Sequence, residues 1–147
     1  MEFIILVVVI LALIGSLSLA IPSKKSRKIS KVRLDSKLLG CKISSTLYGS
    51  NNFKNNNSLP VSYQIKNTIF LKEGHFIRDK NSFMLYSPVQ LKYSDNLKKI
   101  DIMLNNMPKS LDEIIFSQVS ISFLWKETEG INDLKIILKN LEEFKKL

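Results

Sequence analysis

Histidine is the side-chain type that ordinarily titrates nearest neutrality, with cysteine a distant second, and the sequence holds one of each, His75 and Cys41. As a general base, His75 would need a nucleophile and an orienting carboxylate beside it in space. It stands between Gly74 and Phe76, in a context that reads as a turn. Cys41 is flanked by Leu38, Leu39 and Ile43 and reads as a small buried hydrophobe, with an intermolecular disulfide or a lipidated thiol as the alternatives. A lone cysteine excludes an intrachain disulfide framework. One His and one Cys cannot supply a cluster of soft metal ligands, and Asp79, Asp95 and Asp101 lack calcium-loop spacing. The five glycines are isolated, so no phosphate-cradling loop is present, and no nucleophile elbow occurs. Ser117, Ser120 and Ser122 read as the polar face of a strand. From this supply we expect no metal, no cofactor and no intrinsic catalysis, and a chain that works by contact.

The segment with the clearest physical meaning is Phe3 to Ala20. It has 18 residues with no charge, no amide side chain and no proline. Thirteen of them are strongly apolar: Phe3, Ile4, Ile5, Leu6, Val7, Val8, Val9, Ile10, Leu11, Leu13, Ile14, Leu17 and Leu19. Each such residue favours insertion by roughly 0.3–0.6 kcal/mol near a helix centre. As a helix the segment spans about 27 Å, close to one hydrocarbon core. A cleaved signal peptide would carry a basic leader and a shorter apolar run. Here Glu2 precedes the run, while Ser18-Leu19-Ala20 would serve as a cleavage site. The expectation is a retained single-pass anchor over residues 1–21, with a cleaved signal as the alternative.

Six basic residues follow within ten positions: Lys24, Lys25, Arg27, Lys28, Lys31 and Arg33. The positive-inside rule puts this side, and the chain beyond it, in the cytoplasm. The same residues could hold anionic lipid head groups, but the simpler reading is that they set topology. Pro22 ends the apolar helix, and residues 22–33 read as a basic stalk. Beyond it, 34–147 is long enough for one domain with one core. The formal charge of +9 is mostly juxtamembrane, and the domain itself carries about +4. That balance, with no nucleic-acid-binding signature, argues against a nucleic-acid partner.

The fold class expected for 34–147 is α+β, an antiparallel sheet from about Val61 to Trp125 followed by an amphipathic helix. Val32 and Leu34 alternate with Arg33 as a short strand would, and 38–47 is ambiguous between strand and helix. Residues 49–58 read as loop, with a sequon at Asn56 that would be glycosylated only in a secretory lumen. Val61, Tyr63 and Ile65 alternate with Ser62, Gln64 and Lys66, the period of a half-buried strand. Further strands are read at 68–72, 83–86, around Val89, Leu91 and Tyr93, and at Ile100 and Ile102. Ser110 and Glu113 have capping-box spacing, which reads as the start of a short helix. Val119, Ile121, Phe123 and Trp125 return to strand period, and Leu124 implies cover on both faces. From Asn132 or Asp133, the residues Leu134, Ile137, Leu138, Leu141 and Phe144 form one helical stripe. That stripe either packs on the sheet or docks into a partner, and a sheet of this size needs cover.

An apolar run of this length near the start, with basic residues a few positions after it, resembles the sorting anchor of envelope proteins in baculovirus-like insect DNA viruses, including small subunits of the oral-infectivity entry complex. The resemblance covers Met1 to Lys31 and carries over no functional residue. It would imply a domain facing the lumen or virion exterior, against the charge rule. Three functions are therefore expected in competition. One is a non-catalytic subunit or assembly factor of a membrane protein complex, with the bilayer and other membrane proteins as partners. Another is a virion envelope component acting in host-cell entry. The third is a membrane-tethered enzyme with a dispersed site.

Overall fold

The computed structural model describes residues 1–46, 53–55 and 59–145. The apolar run forms helix α1, Glu2–Ala20, with no buried residue. Ile21 is extended, and Ser23 caps the next helix by accepting from the Ser26 backbone N–H. That helix, α2, spans Lys24–Leu38. Beyond Gly40, whose φ of 88° suits a helix C-terminus, the chain enters the sheet.

Six antiparallel strands make one sheet: β1 Lys42–Ser45, β2 Val61–Lys66, β3 Gly74–Asp79, β4 Ser82–Ser87, β5 Leu111–Phe116 and β6 Ser120–Trp125. Their spatial order is β1-β2-β6-β5-β3-β4. Helices α3, Leu97–Asn105, and α4, Ile131–Lys145, complete the fold. The class is α+β, as the alternation and the final stripe led us to expect. One row of the sheet runs Tyr63, Phe123, Ile114, Phe76 and Leu85 across five strands. It joins a core that includes Ile100, Leu104, Leu134, Ile137, Leu141 and Phe144 from α3 and α4. The α4 stripe is therefore core, with Leu138 packed at its margin. Leu124 is fully buried on the opposite face, so β6 is covered on both sides.

Several local expectations are corrected. Ser110 and Glu113 do not cap a helix; Leu111–Phe116 is a strand between β3 and β6. Leu111, Ile114 and Phe116 are buried, and this burial outweighs the capping pattern. The Ser110 hydroxyl is buried without a hydrogen-bond partner, so it performs no capping. Ile100 and Ile102 are not a strand. In α3, Ile100, Met103 and Leu104 face the core and Ile102 is exposed, a 3.6-residue period that a two-residue alternation cannot reveal. Residues Val89–Tyr93 form a 3-10 turn rather than a strand. The 68–72 segment is not a strand but irregular chain with a bend at Ile69 and Phe70. Asn67 donates to the Leu71 and Ser117 carbonyls and accepts from the Ile69 N–H, giving the backbone a partner other than a ladder. Val32 and Leu34 lie on α2, and the ambiguous stretch 38–47 contains the end of α2 and the edge strand β1. The segment read as a stalk is helical from Lys24, and α2 crosses the boundary drawn at residue 33.

Candidate functional site

Three features stand out from the core: the α1–α2 junction, a buried His–Glu pair and the β4 edge.

All thirteen apolar residues of the anchor reading lie on α1, and each of them is exposed. The helix is 19 residues long with a mean hydropathy of 3.0, long and apolar enough to cross a membrane. The six basic residues after it divide into two groups. Arg33 reaches back to the domain and donates to both carboxylate oxygens of Glu127, at 2.8 and 2.9 Å. Glu127 also accepts from the Tyr63 hydroxyl at 2.5 Å. Burial of the Tyr63 ring, reinforced by the Glu127 carboxylate, holds its hydroxyl protonated well above the ordinary range. Lys28 donates to the Thr128 carbonyl at 3.1 Å. Val32 and Ser36 are buried against the domain. The remaining four, Lys24, Lys25, Arg27 and Lys31, are exposed. Asn56 lies outside the described residues.

His75 is no turn residue. It sits on β3, opposite Ile115 of β5 and Ser87 of β4, and is 8 % exposed. Glu113 pairs with Ile77, so the two polar side chains lie diagonally on one sheet face and touch. Glu113 is completely buried. Its carboxylate also accepts from the backbone N–H of Lys54, at 2.8 and 3.1 Å, and of Asn55, at 2.9 Å. Burial pulls the Glu113 pKa up, but the bonds from His75, Lys54 and Asn55 outweigh it and hold the carboxyl below its ordinary value. An ionised carboxylate only accepts, so His75 Nε2 carries the proton in this contact. The Tyr86 ring lies 4.9 Å from the His75 ring, with the Lys54 ammonium 5.0 Å from the Tyr86 centroid. The 53–55 segment is thereby tied onto the face opposite α3 and α4, where Phe53 and Leu124 are both buried.

The pair has the base and the orienting carboxylate of a catalytic array. Among the described residues, no hydroxyl or thiol hydrogen-bonds to His75, and no three His, Cys, Asp or Glu side chains cluster. Glu113 meanwhile spends its acceptors on the loop backbone. Cys41 is buried, and burial pushes its thiol up to about 11, which leaves it protonated and unreactive at neutral pH. Sequence reasoning missed Glu113 because its capping-box spacing gave it a local explanation. The available signal was the run Leu111, Ile114 and Phe116 around it.

Strand β4 ends the sheet. Its six residues, Ser82–Ser87, carry no charge, and Met84 and Tyr86 stand 56 % and 51 % exposed. The other edge, β1, is four residues long, begins at Lys42 and has no exposed large hydrophobe. A charge at an edge strand discourages pairing with other chains, and β4 lacks one. Beside it a cavity of about 410 Å³ is lined by Phe83, Met84, Leu85, Tyr86, Val89 and Leu97, together with the charged Lys92 and Asp101.

No family model, curated protein or solved structure matches this chain.

Proposed function

We propose that this protein is a single-pass, membrane-anchored subunit or assembly factor of a membrane protein complex, acting through contacts and not through catalysis. The observation that carries the reading is the pairing of a wholly exposed apolar helix with a helix bonded to a folded domain. An apolar helix with no buried residue has no cover in the protein, and burial in lipid supplies it. Helix α2 continues three residues later and is held by Arg33, Lys28 and Val32, so the domain is tethered close to the bilayer. Tethering raises the local concentration of the domain near other membrane proteins with no chemistry required. By the charge rule the domain lies on the cytoplasmic side.

The non-catalytic part of the reading draws support from the closed state of the His75–Glu113 pair, whose carboxylate is engaged by the loop backbone. The contact edge is β4, where an extended segment of the partner would add a strand and seat an apolar side chain in the neighbouring cavity.

The test has two arms on native membranes. Alkaline carbonate extraction should leave the protein in the membrane fraction, and external protease should reach the domain only from the side the charge rule names. A photo-crosslinker at Met84 should capture a discrete membrane-protein partner, whereas one at exposed Lys135 on α4 should not. Release by carbonate would overturn the anchor. Equal capture at both positions would overturn the β4 edge.

A further inference from the structure

Helix α2 has two sides with different chemistry. One side carries Val32 and Ser36, both buried against the domain. On the far side, Arg27, Lys31, Leu34 and Leu38 follow at i, i+4, i+7 and i+11, with Lys24 one turn earlier. All five are exposed, Leu34 at 62 % and Leu38 at 82 %. The topology function of basic residues accounts for charge in this stretch, but it does not account for two bare leucines in line with them. A solvated stalk would not need them, and the domain does not cover them.

We propose that the outer face of α2 lies flat on an anionic lipid surface, with Lys24, Arg27 and Lys31 on the head-group phosphates and Leu34 and Leu38 in the acyl boundary. This rests on the reading of α1 as a membrane anchor and adds a second, separately testable contact. Continuity supports it. Only Ile21, Pro22 and Ser23 separate the two helices, and the chain from Ala20 to Lys24 reaches about 14 Å at most, so the start of α2 stays close to the membrane surface. Charge complementarity supports it as well: among the described residues, Lys24, Arg27 and Lys31 make no hydrogen bond or ion pair with the domain, whereas Lys28 and Arg33 donate to Thr128 and Glu127. Basic residues mixed with leucines on one exposed helix face are the chemistry of an interfacial helix, the long basic side chains reaching up to phosphate while their stems rest on the acyl boundary. The Arg33–Glu127 contact then sets the orientation of the whole domain over the membrane.

The test uses the full-length chain in nanodiscs of phosphatidylcholine, with or without phosphatidylserine. A bimane fluorophore is attached to Leu38→Cys, Leu11→Cys or Lys135→Cys; the native Cys41 is buried and stays unlabelled. Leu38 is exposed, so its replacement leaves the fold intact. The Leu38 label should shift to the blue and lose most of its emission to nitroxide lipids labelled near the head group. The effect should be severalfold stronger with phosphatidylserine and should fall in high salt. It should also fall in the Lys24→Glu, Arg27→Glu, Lys31→Glu variant, while the Lys135 label stays unchanged. A Leu38 label that is neither shifted nor quenched, with Leu11 quenched deep in the bilayer, would overturn the proposal and leave the stripe to a protein partner. Equal quenching in both lipids would overturn the anionic recognition. A Leu11 label left unquenched by lipids that carry the nitroxide deep on the acyl chain would overturn the anchor reading and this proposal together.

Discussion

The Arg33 guanidinium grips the Glu127 carboxylate with Nε at 2.8 Å and Nη2 at 2.9 Å, joining two residues 94 positions apart. Tyr63 completes the cluster from β2 by donating to the same carboxylate. The basic residue nearest the domain is thereby removed from the pool that meets solvent or lipid and becomes a bolt between α2 and the turn before α4. Such a planar two-point contact fixes angle as well as distance, which a lysine could not do.

Replacing Arg33 with Met is expected to cost about 1–2 kcal/mol of domain stability. That is less than the roughly 3–5 kcal/mol of a fully buried pair, because the Arg33 side chain is 37 % exposed and water screens it. Arg33→Lys should recover less than half of the loss. Urea unfolding of the detergent-solubilised chain, read by Trp125 fluorescence, measures both. Wild-type stability in Arg33→Met would mean that the contact does not hold α2 in place.

Glu113→Ala removes the acceptor for two backbone donors and for His75. An orphaned buried donor costs about 1–3 kcal/mol; His75 meets that description, while the Lys54 and Asn55 bonds are part-buried and contribute less, so the substitution should be clearly destabilising. Its local signature is faster hydrogen exchange at the Lys54 and Asn55 amides. Unchanged exchange at those two amides would show that the loop is held by something else.

The same carboxylate predicts an acid response. Its folded pKa lies below the ordinary value of 4.5, so as pH falls the unfolded chain takes up the proton first. The stability that Glu113 contributes is full above about pH 4.5 and drains away as pH falls toward its folded pKa. Asp101 and Asp112 are shifted the other way by burial and act with opposite sign on global stability. Exchange at Lys54 and Asn55 isolates the Glu113 contribution. Protection there should drop below about pH 4.5 in the wild type, and should be low and nearly flat with pH in Glu113→Ala.

Ile137→Ala should cost about 2–5 kcal/mol, since Ile137 is fully buried in the layer between α4 and the sheet. Leu138→Ala, one residue on and at the core margin, should cost clearly less. Equal and small effects at both positions would mean that α4 is a detachable docking helix and not part of the core.

Leu11→Arg should weaken membrane retention, because a charge at the centre of a spanning helix costs about 2.5–3.5 kcal/mol on the insertion scale. Flotation of the variant on a density gradient measures it, and undiminished flotation would count against α1 as the anchor.

Some of this architecture was legible without coordinates. Wherever a pattern is repeated over enough residues in one stretch, the period names the element: the apolar run of α1, the alternation of β2 and β6, and the stripe of α4. Short samples failed. Ile100 and Ile102 alternate over three residues, a length at which strand and helix periods cannot be told apart, and their neighbours Met103 and Leu104 decide for helix only because the sheet lies beneath them. Ser110 and Glu113 match a local capping rule, yet strand pairing on both sides of β5 outweighs it.

The sequence by itself determined the apolar helix, the block of charge after it, the α+β class and the scarcity of His and Cys, because each follows from composition or from a run of neighbouring residues. Only the tertiary structure decided which groups meet. His75 and Glu113 are 38 residues apart and Arg33 and Glu127 are 94 apart. No local period encodes such pairs; they arise when strand order and helix docking bring distant backbone together. The division of the basic block has the same origin. Composition makes Arg33 and Lys31 equivalent, and only the packing of Val32 against the domain turns one toward Glu127 and leaves the other facing outward.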